Sequence, residues 1–181
     1  MSTVTTMPLH DWTVDDLDAL PEDGLRYELV DGVLLVSAAP SYVHQLALTN
    51  LVALMVTTCP HPLQTLVALV DVRFSPTRQL QPDLIVLPDQ QRGGPALRPL
   101  PLLAVEVLSP STRAVDLTLK RHVFEQGGIA SYWLLDPLAP SLTVLELVDG
   151  VYVETAVVMG EKGHDAVRPF PVRVVPADLV R

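Results

Sequence analysis

The sequence contains a single cysteine, Cys59, and no long run of apolar residues. One cysteine can form no intramolecular disulfide and cannot build a cysteine-based zinc site, so we interpret it as a small buried hydrophobic residue. The apolar runs, such as 51–56 and 66–70, are far shorter than the roughly 18 residues that a membrane-spanning helix needs. The N-terminal segment lacks the basic and apolar regions of a secretory signal, so we expect a cytoplasmic protein with no membrane partner.

Basic residues are also scarce. The chain has 12 Lys and Arg residues against 21 Asp and Glu residues, a formal net charge of −9. Proteins that coat nucleic acid bind through many contacts between Lys or Arg side chains and phosphates. The charge therefore argues against a general nucleic-acid coating protein. It leaves open an enzyme that acts on a polyanion through a metal ion and a local basic rim.

The 181 residues are predicted to form one domain, since domains typically contain roughly 100–200 residues. Hydrophobic residues make up 49% and charged residues 18%, which is a globular composition. Helices are predicted over 11–22 behind the N-cap Thr13, over 42–57 behind the N-cap Ser41, and near 112–127.

Strands account for most of the remaining sequence. Asp-Gly pairs at 31–32 and 149–150 separate apolar runs, which is a strong short-range pattern for β-hairpins. The remaining texture predicts strands at 63–74, 84–87, 102–108 and 131–135, a polar turn at 75–81 and a loop at 90–101. The whole pattern predicts an α+β fold in which helices flank a mixed central β-sheet, with N- and C-terminal β-hairpins.

Three acidic residues interrupt or adjoin the predicted apolar strands. Glu106 lies within the strand 102–108, Asp83 follows a proline at the start of a short strand, and Glu28 interrupts an apolar stretch. A buried carboxylate is costly unless it is paired or binds a metal. If the three strands are neighbours, the carboxylates converge, and Mg²⁺ typically takes one or two carboxylates with waters and a phosphate. The alternative is that Glu106 lies at a solvated strand end and the other two cap turns.

Lys120 is the fourth candidate for the same site. It lies four residues after Asp116, on the helix that follows the Glu106 strand. One interpretation is a solvated i,i+4 ion pair that contributes a few tenths of a kcal/mol. The other is a lysine aimed at a metal site, where it orients the attacking water and offsets negative charge in the transition state.

At these residues the sequence resembles a known family of nuclease-like proteins. The matching strings are YELVDG, APSYVHQ, PDLIVL, LAVEVLSPSTRAVDLTLK and YWLLDP. They resemble the Uma-type restriction endonuclease family, which belongs to the PD-(D/E)XK nuclease-like superfamily. The resemblance runs from about Trp12 to Tyr152, the core of the predicted domain, and its most specific part is the VEVLSPST…D…K block. It implies a restriction-endonuclease-like fold, a mixed sheet flanked by helices.

The resemblance also implies roles for individual residues. Asp83 takes the aspartate of the Pro-Asp motif and Glu106 the second carboxylate. The two would hold Mg²⁺, or Mn²⁺ in its place, together with the backbone carbonyl of Val107. Glu28 takes the early acidic position, where it would ligate a second cation or hold a water.

The sequence departs from the superfamily pattern at one position. A lysine usually lies two residues after the second carboxylate, where this chain has Leu108. In this branch the lysine comes from the following helix, so Lys120 is the candidate replacement. Asp116 would position it.

Several other polar and aromatic residues are weaker candidates. His44, at the start of a predicted helix, could contact a phosphate, although a polar residue on a helix flank is the commoner outcome. Arg113 and Arg121 are candidate phosphate contacts on the Lys120 helix, or simply solvated. Tyr132 and Trp133 lie in a short apolar strand and are predicted to be core residues rather than a base-stacking platform.

The sequence thus predicts a Mg²⁺-dependent endonuclease that hydrolyses phosphodiester bonds in DNA. A homodimer is compatible with this prediction, because duplex cleavage often pairs two active sites. One alternative is a binding or regulatory module with a nuclease fold and little or no activity, which the acidic composition and Leu108 favour. Another is an enzyme that acts on a different phosphate substrate.

Overall fold

The computed structural model describes residues 11–21, 23–37, 39–89 and 100–181. The predicted loop at 90–101 and the N-terminal residues 1–10 fall outside these ranges, apart from residues 100 and 101. The strands within the described ranges are β1 (Arg26–Val30), β2 (Val33–Ser37), β3 (Leu63–Val67), β4 (Val72–Ser75), β5 (Arg78–Leu80), β6 (Leu84–Pro88), β7 (Leu103–Val107), β8 (Ser131–Asp136), β9 (Ser141–Val148), β10 (Val151–Met159), β11 (His164–Ala166) and β12 (Val172–Val174).

The central element is a six-stranded sheet with the strand order β10-β9-β8-β7-β6-β3. In this sheet β7 and β8 are parallel and the other neighbours are antiparallel. The sheet is therefore mixed, as the sequence predicted. The same α+β class, with hairpins near both ends of the chain, is confirmed.

The N-terminal hairpin belongs to a second sheet of four strands, ordered β2-β1-β5-β4. This sheet includes β5, in the stretch 75–81 that was predicted to be a polar turn, and that prediction was wrong. Gln79 and Leu80 in β5 are buried, and Gln79 pairs with Leu29 of β1. A three-residue strand shows too little alternation for its sequence to reveal it, so only the pairing with β1 and β4 identifies it. A two-stranded ribbon, β11-β12, follows near the C-terminus.

The helices are α1 (Val14–Asp18), α2 (Tyr42–Thr58), α3 (Arg113–Val115) and α4 (Arg121–Gly127), with a 3₁₀ helix at Pro176–Val180. The predicted N-caps are confirmed, since Thr13 accepts a hydrogen bond from the Asp16 N–H and Ser41 accepts one from the His44 N–H. Among the described residues, no helix has the length and apolar character to cross a membrane.

The helix predicted near 112–127 is not continuous. Asp116–Lys120 form a π-helical turn between α3 and α4. The Tyr132 hydroxyl donates a hydrogen bond to the Asp116 carbonyl at 3.0 Å, and both Asp116 and Lys120 are buried. Single π-helical turns are rare and occur often at functional sites. Here the turn directs the side chains of Asp116 and Lys120 inward. A solvated i,i+4 pair on an ordinary helix would instead face the solvent.

Both Asp-Gly hairpin turns form as predicted. Asp31 and Gly32 have φ values of 51° and 81°, and Asp149 and Gly150 have 51° and 83°. Positive φ at both central residues is the geometry of a type I′ turn, in which Gly is preferred because it lacks a Cβ.

The six-stranded sheet is covered by apolar residues on both faces. Val105 and Val107 pack into the cluster that includes α2 and the C-terminal 3₁₀ helix. Ala104 and Leu108 pack into the other cluster, with α4 and the N-terminal hairpin. Since side chains alternate along a strand, Glu106 lies on the same face as Ala104 and Leu108, towards the four-stranded sheet. Tyr132 and Trp133 are fully buried, as predicted.

Gly127, at the end of α4, allows the helix to approach the four-stranded sheet. A Cβ at this position would lie 2.3 Å from Cδ1 of Phe74, whose ring packs edge-on against Phe124. We expect Gly127→Ala to lower the free energy of unfolding by about 1–3 kcal/mol, the usual effect of overpacking, as measured by urea denaturation.

The exposed neighbour Gln126 provides the matched control. Gln126→Ala should change the free energy of unfolding by about 0.5 kcal/mol or less. In the Phe74→Leu background, Gly127→Ala should lower the free energy of unfolding by less than it does in the wild type, because the altered side chain removes the clash. An undiminished loss in that background would show that the steric account is wrong.

Candidate active site

The ammonium group of Lys120 lies among three carboxylates. Its Nζ is 2.9 Å from Glu28 Oε2, 3.0 Å from Glu106 Oε1 and 3.4 Å from Asp116 Oδ1. The carboxylates come from β1, β7 and the π-helical turn, respectively. Lys120 is only 2% exposed and Glu106 1%. The interpretation of Lys120 as a solvated i,i+4 pair is therefore excluded, as is a solvated strand end for Glu106.

Strand pairing brings Asp83 to the same place. Asp83 directly precedes β6, and the antiparallel register pairs Leu84 with Val105 and Ile85 with Ala104. The same register continued by one residue sets Asp83 opposite Glu106. Directly opposed residues in antiparallel strands have Cβ atoms about 4.5–5.5 Å apart. Neighbouring strands thus place these two carboxylates together, as the sequence predicted they would if the strands were adjacent.

Both oxygens of Asp83 have donors. Oδ1 is 3.0 Å from Nη1 of Arg26 on β1. Oδ2 is 3.2 Å from Nε2 of His44 on α2, and it accepts a hydrogen bond of 2.7 Å from the backbone N–H of Val107. The Arg26 guanidinium also donates to the carbonyl of Gln81. Asp83 is therefore held by a strand of each sheet and by the first turn of α2.

These groups line a cavity of about 480 Å³. Arg26, His44, Asp83, Glu106 and Val107 form its wall together with the turn at 109–112. In that turn the hydroxyl groups of Ser109 and Thr112 are hydrogen-bonded to each other at 2.9 Å. Glu28 and Lys120 lie beside this cavity and line a much smaller one, which also includes Thr112.

The pKa values of the two opposed carboxylates are shifted in opposite directions. Burial raises the pKa of the Glu106 carboxyl well above its ordinary value, and the Lys120 charge does not fully offset this effect. Burial also tends to raise the pKa of Asp83. There the hydrogen bond from His44 and the charge of Arg26 outweigh burial and hold the pKa well below its usual range. Burial tends to lower the pKa of Lys120, but Glu106 and Glu28 outweigh it and raise that pKa, so the ammonium stays charged.

The cluster carries an excess of negative charge. The four carboxylates of Glu28, Asp83, Glu106 and Asp116 face the two cations Arg26 and Lys120. Counted with every carboxylate ionised, the cluster has two more anionic than cationic groups, and together with burial this imbalance raises the pKa of Glu106. A divalent cation would offset the imbalance.

The donor chemistry of the cavity fits Mg²⁺ or Mn²⁺. Asp83 and Glu106 offer hard carboxylate oxygens, and Mg²⁺ commonly uses one or two carboxylates with waters and substrate phosphates. Across the part of the chain that the structure describes, no three His, Cys, Asp or Glu side chains are arranged to hold a metal by themselves. A cation here would depend on the two strand carboxylates and on further oxygen ligands.

Two of the predicted residues, Arg113 and Arg121, belong neither to this cavity wall nor to the cluster around Lys120. Arg113 pairs with Asp136, and Nη2 of Arg121 donates to the carbonyl of Tyr152 at 3.3 Å. His44 and Val107, in contrast, both lie against Asp83.

Arg26 is the residue that the sequence reasoning missed. It lies two positions before Glu28, directly ahead of the run YELV that the Asp-Gly pattern predicts as a strand, and side chains two apart in a strand share a face. That alternation was available in the sequence. The partner of Arg26 was not, because Asp83 belongs to the other sheet.

Comparisons with known proteins agree with this fold. Residues 14–176 match the family model described as "Uma2: Putative restriction endonuclease". A crystal structure of a putative nuclease belonging to DUF820, from Anabaena variabilis ATCC 29413, is similar to this chain with a TM-score of 0.72 and 20% sequence identity. The similarity covers 93% of this chain and 97% of that one, and it shows a shared fold. A comparison with curated proteins found no match.

Neutralising Glu106 should stabilise the metal-free protein at neutral pH. The pKa of Glu106 is higher in the folded protein than in the unfolded chain. Between these two values the folded protein keeps a proton that the unfolded chain has lost, so the free energy of unfolding falls as pH rises through this window. Gln keeps an acceptor for Lys120 and removes this penalty. We expect Glu106→Gln to raise Tm in chelator at pH 7.5 by about 2–4 °C, corresponding to roughly 1 kcal/mol. The gain should shrink as pH approaches the ordinary Glu value.

The exposed Glu154 on β10 supplies the control, and Glu154→Gln should leave Tm nearly constant at each pH. A gain for Glu106→Gln that does not vary with pH, or a loss at pH 7.5, would contradict the assignment of Glu106 as the destabilising charge.

Proposed function

This chain belongs to the Uma2 family, and from this premise we propose that it is a Mg²⁺-dependent endonuclease that hydrolyses phosphodiester bonds in DNA. Membership of the family supports a restriction-endonuclease-like hydrolase that acts on nucleic acid. The observation that carries the finer proposal is the junction of β6 and β7. There Asp83 and Glu106 share one cavity, and Lys120 donates to Glu106.

Asp83 and Glu106 would hold the cation, with the Val107 carbonyl as a further oxygen ligand. When bound, a divalent cation supplies Lewis-acid stabilisation of charge on a phosphodiester and makes a water more acidic. The excess of acidic over cationic groups in the cluster supports this role. A buried site with that excess is stabilised by a +2 ion and destabilised without one.

Lys120 would position the water and stabilise the developing charge. Glu28 and Glu106 fix its ammonium at 2.9 and 3.0 Å. Its contact with Asp116 is the longest, at 3.4 Å, so a water or a phosphate oxygen would replace this one with the smallest loss. The nearby carboxylates keep the ammonium charged, which suits it to electrostatic stabilisation rather than to removing a proton.

Hydrolysis forms one bond between a water oxygen and phosphorus and breaks one bond between phosphorus and an ester oxygen. The attacking water loses a proton and the leaving oxygen gains one. In this site Lys120 and the Asp83–Glu106 pair act on the water and on the charge of the phosphate. The hydroxyl groups of Ser109 and Thr112 lie on the same cavity wall, where they can donate to phosphate oxygens.

A second candidate function is a nuclease-fold binding module. Leu108 in place of the usual lysine and the net charge of −9 favour it. A lysine with three carboxylate partners, fully enclosed by the fold, favours the enzyme. The two candidates differ in one measurable respect, since only the enzyme shows metal-dependent cleavage that depends on Lys120.

Metal binding can be observed directly because the chain has only two lysines, Lys120 and Lys162. With ¹³Cε-labelled lysine, we expect Mg²⁺ to shift the Lys120 NMR signal, because Lys120 contacts Glu106. The signal of Lys162, an exposed residue, should stay in place and serves as an internal reference. Asp83→Asn should abolish the shift.

The conservative change Asp149→Asn, in the exposed turn between β9 and β10, is the control for Asp83→Asn. It should retain the full Mg²⁺-dependent shift. Equal shifts in the Asp83→Asn and Asp149→Asn proteins would remove Asp83 from the metal site.

The catalytic role of Lys120 is tested by Lys120→Met, which keeps the bulk of the side chain and removes its charge. We expect the rate of Mg²⁺-dependent cleavage of a mixed DNA substrate to fall by roughly 10²–10³, the usual effect of losing such an electrostatic group. Lys120→Arg should restore little activity, because a planar guanidinium does not fit a site built around a compact ammonium.

Lys162→Met is the matched control and should cleave as the wild type does. Because removing a buried charge leaves its partners unpaired, at a cost of about 3–5 kcal/mol, folding of each variant is checked by circular dichroism at the assay temperature. Cleavage by folded Lys120→Met at the wild-type rate would remove Lys120 from the mechanism. Absence of cleavage by the wild type on single-stranded, duplex and branched DNA would favour the binding module.

A further inference from the structure

The carboxylate of Asp83 already has donors of the protein at both of its oxygens. Arg26 reaches Oδ1 at 3.0 Å, and Oδ2 receives His44 at 3.2 Å and the Val107 N–H at 2.7 Å. Asp83 is 3% exposed. A cation that enters the cavity therefore competes for this ligand with the charged guanidinium of Arg26 at Oδ1 and with His44 at Oδ2.

Arg26 and His44 both have hydrogen-bonding capacity left over. Nε of Arg26 and Nδ1 of His44 are buried and have no hydrogen-bond partner. Both side chains line the cavity that contains Asp83 and Glu106. A guanidinium offers several N–H groups in a fork that matches the oxygens of a phosphate. His44 also lies in the first turn of the 17-residue helix α2, where the helix dipole favours an anion.

We infer that Arg26 and His44 are the phosphodiester-binding pair of this site, and that the Asp83 carboxylate occupies them as an internal anion until substrate arrives. The inference rests on the proposed function. The incoming phosphodiester carries one negative charge and takes the place of the Asp83 carboxylate as the anionic partner of Arg26. Asp83 is then released towards the cation, next to Glu106.

This exchange makes the two ligands depend on each other. A cation alone would take Asp83 and leave the half-buried guanidinium of Arg26 without its anion. A phosphodiester alone would take Arg26 and leave the buried Asp83 without its cation. Each event by itself leaves an unpaired buried charge, which is strongly unfavourable. When both ligands bind, Arg26 has an anion and Asp83 has a cation, so each ligand should increase the affinity for the other.

A second cavity favours a nucleic-acid phosphodiester over free phosphate as the natural ligand. It has a volume of about 480 Å³, shares Arg26, His44 and Asp83 with the first, and is walled by Leu48, Val52 and Leu69 among others. The phosphate-binding pair thus lies at the junction of two cavities, of which the second is the more apolar. A nucleotide has a charged group for the first and a base for the second, whereas inorganic phosphate has only the first.

The test measures Mn²⁺ binding to the wild-type protein by titration calorimetry, with and without a saturating phosphorothioate oligonucleotide whose integrity is checked afterwards on a gel. We expect the oligonucleotide to tighten Mn²⁺ binding by a factor within about 5–150, the usual range for coupled sites. By linkage, Mn²⁺ should tighten oligonucleotide binding by the same factor. An uncharged methylphosphonate oligonucleotide should give no coupling. Equal Mn²⁺ affinity with and without the phosphorothioate would overturn the inference.

Inorganic phosphate distinguishes the two sources of the anion. It should give weaker coupling than the oligonucleotide, because it leaves the apolar cavity empty. Coupling as strong as that of the oligonucleotide would overturn the assignment to a nucleic-acid phosphodiester.

The variant Arg26→Met tests the pair itself. With Asp83 no longer held by Arg26, Mn²⁺ alone should bind more tightly than to wild type, and the oligonucleotide should add no further gain. Arg78→Met is the matched control, because Arg78 pairs with Asp31 in an exposed ion pair at the N-terminal hairpin. It should retain the full coupling. If Arg26→Met does not fold, His44→Gln and the wild-type titration carry the test, and full coupling in folded Arg26→Met or His44→Gln would overturn the inference.

These titrations are independent of cleavage. Cleavage without coupling would remove the exchange and leave the proposed nuclease activity standing. Coupling without cleavage would leave the phosphate-binding pair standing and remove the activity.

Discussion

The ion cluster around Lys120 is the interaction on which the rest of this structure depends. An ammonium group in a protein interior must have anionic partners, because breaking a buried pair costs about 3–5 kcal/mol. Its partners Glu28, Glu106 and Asp116 come from the N-terminal hairpin, the central sheet and the π-helical turn. The ion pairs of Lys120 thereby fix how the two sheets and the π-helical turn lie around the cavity. The π-helical turn is part of the same constraint, since it directs both Asp116 and Lys120 inward.

Two carboxylates on neighbouring strands have acquired opposite properties from their surroundings. At Asp83 the hydrogen bond from His44 and the charge of Arg26 outweigh burial and hold the pKa low. At Glu106, burial and the neighbouring carboxylates raise the pKa. Environments that separate the pKa values of two adjacent acids are common in sites that do acid–base or metal chemistry. The pKa values of Asp83 and Glu106 differ because their neighbours differ, and not because one is an aspartate and the other a glutamate.

The errors of sequence interpretation share one physical origin. The hairpins and the helix caps depend on contacts a few residues apart, so the Asp-Gly turns and the N-caps Thr13 and Ser41 were predicted correctly. The strand Arg78–Leu80 and the π-helical turn depend on partners far along the chain. β5 exists because β1 and β4 pair with it. The turn at Asp116–Lys120 is stabilised by Tyr132 and by buried carboxylates of two strands.

The sequence by itself determined the α+β class, most of the local elements and the residue types of the site. A glutamate inside an apolar strand and an aspartate before another were enough to single out Glu106 and Asp83, because local periodicity shows which residues must be buried. Only the tertiary structure decided the partners. It placed Arg26 on Asp83 and made Lys120 the shared partner of three acids rather than of Asp116 alone. The physical reason is that ion pairs form over about 3 Å, and such distances are set by strand register and by the packing of two sheets, which no local pattern in the sequence records.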